Sequence, residues 1–227
     1  MLELPRSLQY RKVKMKNAKA VDTDIVLIDI INFSKLKLDE QLEIVTFLNR
    51  SFKKVIEKML SSSKMDLATL VHGLVSTGDG FYCILNPRFK GYGAILALSF
   101  NHFSEQISKK YSYFLGIRVA VHTGYVHSFK DILGNENFIG DGLNDCSRYL
   151  EFKNYTISTV IVSDVAYEHF RYFLQKYKDF HDLLVSMGFK HSDAYVFKDK
   201  HGGIKKGYLV WLRKPGIIIP PAIHFQR

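Results

Sequence analysis

The stretch DIVLIDIINFS, residues 24–34, constrains the fold more than any other part of the chain. Its apolar residues occupy both alternating positions, so both faces of a strand formed here are expected to be buried, as in the centre of a sheet. Asp29 lies inside this run, where a carboxylate needs a hydrogen bond, an opposite charge or a metal ion. The alternative is that Asp29 caps a turn at the strand end. The stretch therefore predicts a central strand that carries a carboxylate.

The remaining patterns predict an alternation of helices and strands. A helix is expected after Asp39, which can cap its start, because apolar residues recur there at spacings of three and four. These residues are Leu42, Val45, Leu48, Phe52, Val55, Ile56 and Met59. A strand–turn–strand segment follows over 67–85, then a helix over 92–110, a strand, a helix near 140–152, and further strands and helices up to residue 212. The order β-α-β-β-α-β predicts an α+β fold with an antiparallel or mixed sheet and helices on one side.

The hairpin VSTGDGFYCIL places Asp79 between Gly78 and Gly80. Asp-Gly between apolar runs is a strong hairpin signal, so Asp79 could serve the turn alone. If the strand of Asp29 pairs beside this hairpin, both carboxylates converge at one edge. Two carboxylates without nearby Cys or His ligands suit Mg²⁺ or Mn²⁺, and a pair of such ions can act on a phosphate.

Asn144 and Arg148 are four residues apart on a predicted helix and therefore share one face. A solvated surface pair is the alternative. His122, in VHTG, has no spaced Cys or His partner, so a structural histidine at a strand end is favoured.

Charge and composition limit the remaining possibilities. The formal net charge is +10, with a basic arm at residues 1–20 and a lysine cluster near residues 198–206. No nucleic-acid-binding motif surrounds either cluster, so a solvated arm, or an anionic ligand such as a nucleoside triphosphate, is favoured over nucleic acid. No apolar run is long enough for a membrane span, and two cysteines fit a reduced, cytoplasmic setting. The expected division is the arm, a domain over 21–214 and a Pro-rich tail over 215–227.

Four motifs in this order resemble the catalytic domain of class III nucleotidyl cyclases, the adenylate and guanylate cyclase family. They are LIDIINFSKL, STGDGF, GIRVAVHTGYV and FIGDGLNDCSRYLE. The resemblance covers about residues 24–212. It implies a ferredoxin-like βαββαβ core with extra strands and helices, and a head-to-tail homodimer whose two active sites are each shared between the subunits.

The resemblance also implies roles for individual residues. Asp29 and Asp79, with the carbonyl of Ile30, would hold two Mg²⁺ or Mn²⁺ ions. The backbone amides of Asn32, Phe33 and Ser34 would hold the triphosphate. Asn144 would orient the ribose, and Arg148 would meet the charge that develops at the α-phosphate. A phosphate-binding lysine is expected near the last strand, where Lys200 ranks ahead of Lys205 and Lys206.

Three further positions depart from the family pattern. Asn32 replaces a glycine of the phosphate turn, and asparagine tolerates the backbone angles required there. Val75 stands where adenylate cyclases have Lys and guanylate cyclases have Glu, and Asn137 stands at the partner position that reads the base. Val75 cannot hydrogen-bond to a purine edge, so strict adenylate or guanylate specificity is not expected.

A cyclase domain without a sensor segment and with these substitutions is similar to the stand-alone bacterial pyrimidine cyclases of Pycsar anti-phage systems. This similarity implies conversion of UTP or CTP to cyclic UMP or cyclic CMP, and a separate effector protein that binds the product. An adenylate cyclase of relaxed specificity and a catalytically silent, nucleotide- or partner-binding domain stay as alternatives.

Overall fold

The protein is described by a computed structural model over residues 20–62, 66–152 and 159–214. Its strands are β1 Val21–Ile30, β2 Val71–Ser76, β3 Gly80–Leu85, β4 Ile117–Lys130, β5 Glu136–Ile139, β6 Val160–Ser163, β7 Phe189–His191, β8 Tyr195–Lys198 and β9 Ile204–Leu212. Its α-helices are α1 Leu38–Met59, α2 Leu67–Leu70, α3 Gly93–Lys110, α4 Asp141–Tyr149, α5 Asp164–Lys176 and α6 Lys178–Ser186. The predicted Pro-rich tail and all but the last residue of the basic arm lie outside the described residues.

The strands form one mixed sheet in the order β2-β3-β1-β4-β6-β9-β7, with β5 paired to β4 and β8 paired to β9. Only β4 and β6 are parallel neighbours among the described strands. Strand β1 lies between β3 and β4, as its two-sided apolar pattern predicts. The first four strands, with α1 and α3 between them, form the expected βαββαβ core, so the predicted fold class is confirmed.

The two faces of β1 are covered by different helices. Val26 and Ile28 belong to the larger apolar core, together with residues of α1, α3, α5 and α6. Ile25 and Leu27 belong to a second core, together with Leu143 of α4. The expectation of helices on one side of the sheet is therefore wrong, because a strand that is apolar on both faces needs a cover on each.

Close backbone contact brings α4 onto the second face. A Cβ atom added to Gly142 would lie 2.8 Å from Cδ1 of Ile25 and 2.9 Å from the carbonyl carbon of Gly124. Only glycine therefore allows the first turn of α4 to approach β1 and β4 this closely. The motif that carries Asn144 and Arg148 is thus held against the strand that carries Asp29.

Several local expectations differ from the structure. The segment expected to be a strand from residue 67 begins with the helical turn α2, because the Asp66 carboxylate accepts a hydrogen bond from the Thr69 amide at 2.8 Å. Helix α1 begins after Lys37, whose amide donates to Glu40 at 2.8 Å, so Asp39 is not its cap. Leu42 is 66% exposed rather than part of the core. Among the described helices, none is both long and apolar enough to cross a lipid bilayer.

Candidate active site

The structure brings Asp29 and Asp79 together at one end of the sheet. Asp29 lies opposite Gly80 of β3, and the Ile30 amide donates to the Asp79 carbonyl oxygen at 2.8 Å. The hairpin tip is thereby attached to the end of β1. Because the register is set by backbone hydrogen bonds, the two carboxylates are neighbours before any ligand arrives.

The two glycines around Asp79 have different tasks. Gly78 adopts φ of +91° at the turn, a conformation that glycine reaches without steric cost. Gly80 is required for packing, since an added Cβ would lie only 1.9 Å from the Ile28 carbonyl oxygen. The turn and the close pairing of β3 with β1 therefore both contribute to the position of Asp79.

Arg118 of β4 binds Asp29 from the other side. The Arg118 Nε atom donates to Oδ2 of Asp29 at 2.8 Å, and Nη2 donates to the same oxygen. Burial raises the pKa of Asp29, the Arg118 hydrogen bonds and charge oppose this, and the nearby Asp79 carboxylate raises it further. The Asp29 side chain is 14% exposed. Asp29 is therefore a paired, largely buried carboxylate, in agreement with what its apolar strand demands.

The turn after β1 has asparagine where the resemblance predicts glycine. Asn32 has φ of 57° and ψ of 29°, the left-handed region, and precedes a short 3₁₀ turn over Phe33–Lys35. Asparagine reaches this region more readily than most residues, as the sequence predicted. Among the described residues, the amides of Asn32, Phe33 and Ser34 donate to no acceptor. Consecutive free amides of this kind can bind an anion.

Asn144 and Arg148 lie on the outer side of α4, away from its buried residues Leu143, Cys146 and Tyr149. Asn144 is exposed, and Arg148 is partly exposed. Arg148 donates from Nη1 to Oδ1 of Asp145 at 2.7 Å. Within the described part of the chain, no hydrogen bond or ion pair joins either residue to Asp29 or Asp79.

The two positions expected to read the base lie on β2 and β5, two strands that are not hydrogen-bonded to each other but touch through side chains. Val75 is half-buried in β2 and pairs with Tyr82 of β3. Asn137 is in β5, and its Oδ1 atom accepts a hydrogen bond from the Phe138 amide at 2.8 Å. The Phe138 ring packs edge-on against His72 of β2, which draws β5 beside β2. Part of the hydrogen-bonding capacity of Asn137 is therefore used by the Phe138 amide.

The three candidate lysines have different surroundings. Lys200 is an exposed side chain that binds Glu151 at 3.3 Å. Lys206 binds Asp164 at 2.9 Å. Lys205 is only 15% exposed and donates to the same Asp145 oxygen as Arg148, at 2.8 Å. The ranking of Lys200 stays a prediction, while the geometry places Lys205 beside Arg148.

Sequence reasoning missed Arg118, Asp145 and Asp199. The signal for Arg118 was a charge inside the otherwise apolar strand GIRVAVHTGYV. Asp145 is three residues before Arg148, a spacing at which opposite charges meet on a helix. For Asp199 no local signal exists, since it meets Arg148 only through the tertiary fold.

His122 is structural, as its isolation in the sequence suggests. It is 9% exposed, its ring stacks on Tyr149, and Nδ1 lies 2.9 Å from Oγ of Ser163. Burial lowers the pKa of His122 to about 4, and the nearby Asp145 charge partly opposes this shift. The ring is therefore neutral at physiological pH and contributes to the packing beneath α4.

The donor set at Asp29 and Asp79 fits a hard divalent cation. The described residues contain no cluster of three or more His, Cys, Asp or Glu side chains arranged for a metal. Mg²⁺ does not need such a cluster, because it is commonly bound by one or two carboxylates, and water and substrate phosphates complete its coordination. Two adjacent carboxylates and the carbonyl of Ile30 supply oxygen ligands of this type.

Comparison with known proteins supports the fold assignment. No protein-family profile and no curated protein sequence matches the chain. One similar solved structure is the catalytic core of a rhodopsin-guanylyl cyclase with converted specificity, in complex with ATPαS. Its TM-score is 0.61 and its sequence identity is 16%, and the match covers 88% of this chain and all of that one. The GTP-bound guanylate cyclase domain of RhGC from Catenaria anguillulae has a TM-score of 0.60 and 16% identity over 87% of this chain and all of that one.

A third similar structure is an adenylate/guanylate cyclase/hydrolase from Silicibacter pomeroyi. It has a TM-score of 0.57 and 17% identity over 87% of this chain and all of that one. These matches extend over nearly the whole described domain at low identity. The chain therefore has the fold of class III adenylyl and guanylyl cyclase catalytic domains.

Proposed function

We propose that this chain is a metal-dependent nucleotidyl cyclase. The observation that carries the proposal is the proximity of Asp29 and Asp79 at one end of β1 within a cyclase fold. Asp29 lies on the sheet face that α4, the helix of Asn144 and Arg148, covers. In the reaction, the 3′-hydroxyl of a nucleoside triphosphate attacks the α-phosphorus, and pyrophosphate leaves. This chemistry needs position and charge rather than a covalent enzyme intermediate.

In the proposed reaction, side chains and backbone groups of the described residues would position the substrate and stabilise its charge. Asp29, Asp79 and the Ile30 carbonyl would hold two Mg²⁺ or Mn²⁺ ions, and such ions would supply positive charge to the attacking hydroxyl and to the phosphates. The free amides of residues 32–34 bind the triphosphate oxygens. Asn144 orients the ribose, and Arg148 stabilises the charge that develops at the α-phosphate. Arg118 opposes the rise in the pKa of Asp29 that burial causes, and it orients the Asp29 carboxylate.

The active site is shared between two subunits of a homodimer. The absence of any described contact between the carboxylates and the Asn144–Arg148 pair supports this arrangement. Each subunit then offers carboxylates to one site and α4 to the other, so a C2 dimer contains two equivalent sites.

The substrate is a pyrimidine nucleoside triphosphate, UTP or CTP. Val75 offers no hydrogen bond to a base, and Asn137 already accepts one from the Phe138 amide. A site without the purine-reading groups loses the selectivity that those hydrogen bonds provide. The product, cyclic UMP or cyclic CMP, is a second messenger that a separate effector binds during anti-phage defence in the cytoplasm.

The direct test is product identification. The protein is incubated with Mn²⁺ and each of ATP, GTP, CTP and UTP, and products are identified by mass. We expect cyclic UMP or cyclic CMP as the main product and none from the Asp79→Asn variant. Cyclic AMP as the main product would remove the pyrimidine assignment and support an adenylate cyclase of relaxed specificity.

A catalytically silent, nucleotide-binding domain is the second candidate. The observation in its favour is that both arginines of the site are already paired with protein carboxylates, Arg118 with Asp29 and Arg148 with Asp145. Measurable nucleotide binding without product from any of the four triphosphates would establish this candidate.

A further inference from the structure

The guanidinium of Arg148 lies between two carboxylates that differ in their surroundings. Asp145, on the same helix, accepts a hydrogen bond from Nη1 at 2.7 Å and is 31% exposed. Asp199, between β8 and β9, faces the opposite edge, with Oδ2 at 3.6 Å from Nε and a side chain only 1% exposed. Arg148 is therefore contacted on its Nη edge by an accessible carboxylate and approached on its Nε edge by a buried one.

The buried carboxylate has one oxygen that is satisfied and one that is not. Oδ1 of Asp199 accepts the amides of His201 at 2.9 Å and Gly203 at 2.8 Å. Oδ2 has no hydrogen-bond partner among the described residues and points toward Arg148. Burial by itself raises the pKa of Asp199, but these amides and the charges of Arg148 and Lys205 outweigh it and hold that pKa below its usual range. The site thus contains a buried anion with one free acceptor.

Asp145 differs because it has a second cation. Lys205 donates to the same Oδ1 atom at 2.8 Å. If Arg148 releases Asp145 to bind a phosphate, that carboxylate keeps Lys205. Within the described ranges, no cation donates a hydrogen bond to Asp199, so its Oδ2 loses its facing positive charge if Arg148 leaves.

We infer that Asp199 is a positioning residue for Arg148, and this inference rests on the proposed cyclase function. Oδ2 of Asp199 holds the Nε edge of the guanidinium, so the Nη edge remains directed outward and exchanges Asp145 for the α-phosphate. The planar guanidinium permits this division, because its donors lie in a fixed fork with two usable edges.

A purely structural role is the competing explanation, since Asp199 also closes a turn. Asp199→Asn separates the two roles. It retains an Oδ1 atom for the His201 and Gly203 amides and removes the negative charge that faces Arg148. The matched control is Asp131→Asn, because Oδ1 of Asp131 accepts the Leu133 and Asn135 amides at 2.8 and 2.9 Å in a similar turn. No cation contacts Asp131 within the described residues.

The kinetic experiment measures kcat and KM for the preferred triphosphate with Mn²⁺. We expect Asp199→Asn to lower kcat by about tenfold or more, the effect of losing the buried negative charge that faces Nε of Arg148, with little change in KM. Its melting temperature should stay close to that of the wild type. Asp131→Asn should keep the wild-type kcat. A wild-type kcat in Asp199→Asn, or an equal loss in the Asp131→Asn control, would overturn the inference.

A second measurement does not depend on activity, so it separates failure of the inference from failure of the proposed function. Arg148→Gln leaves Asp199 as a buried carboxylate without its facing charge and should lower the melting temperature by several degrees. Adding Asp199→Asn should recover most of that loss, whereas adding Asp131→Asn should recover none. Additive effects of Arg148→Gln and Asp199→Asn would show that the two side chains are not coupled and would overturn the inference.

Discussion

The two halves of the candidate site are built in different ways. Asp29 and Asp79 are placed by backbone hydrogen bonds between neighbouring strands, so their separation follows from the register of β1 and β3. Arg148 is placed by side-chain contacts at the end of a long, flexible stem. The carboxylate half is therefore fixed by the backbone, whereas the cationic half depends on side-chain partners from α4 and the β8–β9 loop.

The largest expected effect comes from separating the halves between subunits. Asp79→Asn and Arg148→Ala should each lower kcat by about 10²–10³-fold, because each removes a charge from the reacting centre. Mixing the two inactive proteins should restore activity to about a quarter of the wild-type value, since random pairing gives one intact site in about half of the dimers. The measurement is product formation after subunit exchange.

The contradictory outcome of that experiment is equally clear. If native mass spectrometry shows heterodimers and no activity returns, both halves must act within one subunit. The carboxylates and the Asn144–Arg148 pair would then form a single site within each chain.

A substitution at Gly80 should disrupt the strand pairing that positions Asp29 and Asp79. Gly80→Ala should destabilise the fold by about 3 kcal/mol or more, because the new Cβ would overlap the Ile28 carbonyl oxygen and separate β3 from β1. Gly78→Ala is the matched control. No atom lies within 4 Å of its new Cβ, so only the left-handed backbone costs energy, about 1 kcal/mol. Urea unfolding measures both, and equal losses would argue against register as the origin of the Asp29–Asp79 pairing.

The packing beneath α4 should be sensitive to acid through His122. Its folded-state pKa of about 4 lies below the value of 6.5 expected when unfolded. A depressed pKa means that the unfolded chain takes up the proton first as pH falls. The stability is therefore complete above pH 6.5 and is lost progressively toward pH 4, by about 3 kcal/mol in total. Urea unfolding between pH 7.5 and 5 should show this slope, and His122→Gln should flatten it.

The smallest expected effect concerns the phosphate turn. Asn32→Ala should cost about 1 kcal/mol, because alanine is strained at φ of 57°, whereas Asn32→Gly should be neutral or slightly stabilising. Both variants keep the backbone amides that would bind phosphate. Thermal unfolding distinguishes them, and an Asn32→Ala protein as stable as Asn32→Gly would mean that the turn relaxes to another conformation.

Much of the fold could be predicted from the sequence because the hydrophobic and turn patterns were long and local. The two-sided apolar run of β1, the helix over 92–110 and the Gly-Asp-Gly hairpin all appear where expected. The misses were short or ambiguous. Leu67–Leu70 form α2 rather than the start of a strand. Strands β5, β7 and β8 are only three or four residues long. Such segments are decided by what they pack against rather than by their own propensity.

The sequence alone identified the candidate site residues of this protein. A carboxylate within an apolar strand, a second at a hairpin tip, and an Asn–Arg pair at four-residue spacing are local patterns that survive without coordinates. The tertiary structure alone decided which sheet face α4 covers, that Arg118 binds Asp29, and that Asp199 faces Arg148. The physical reason is that these contacts join residues far apart in the chain, and only strand register and helix packing bring them within hydrogen-bonding or ion-pairing distance.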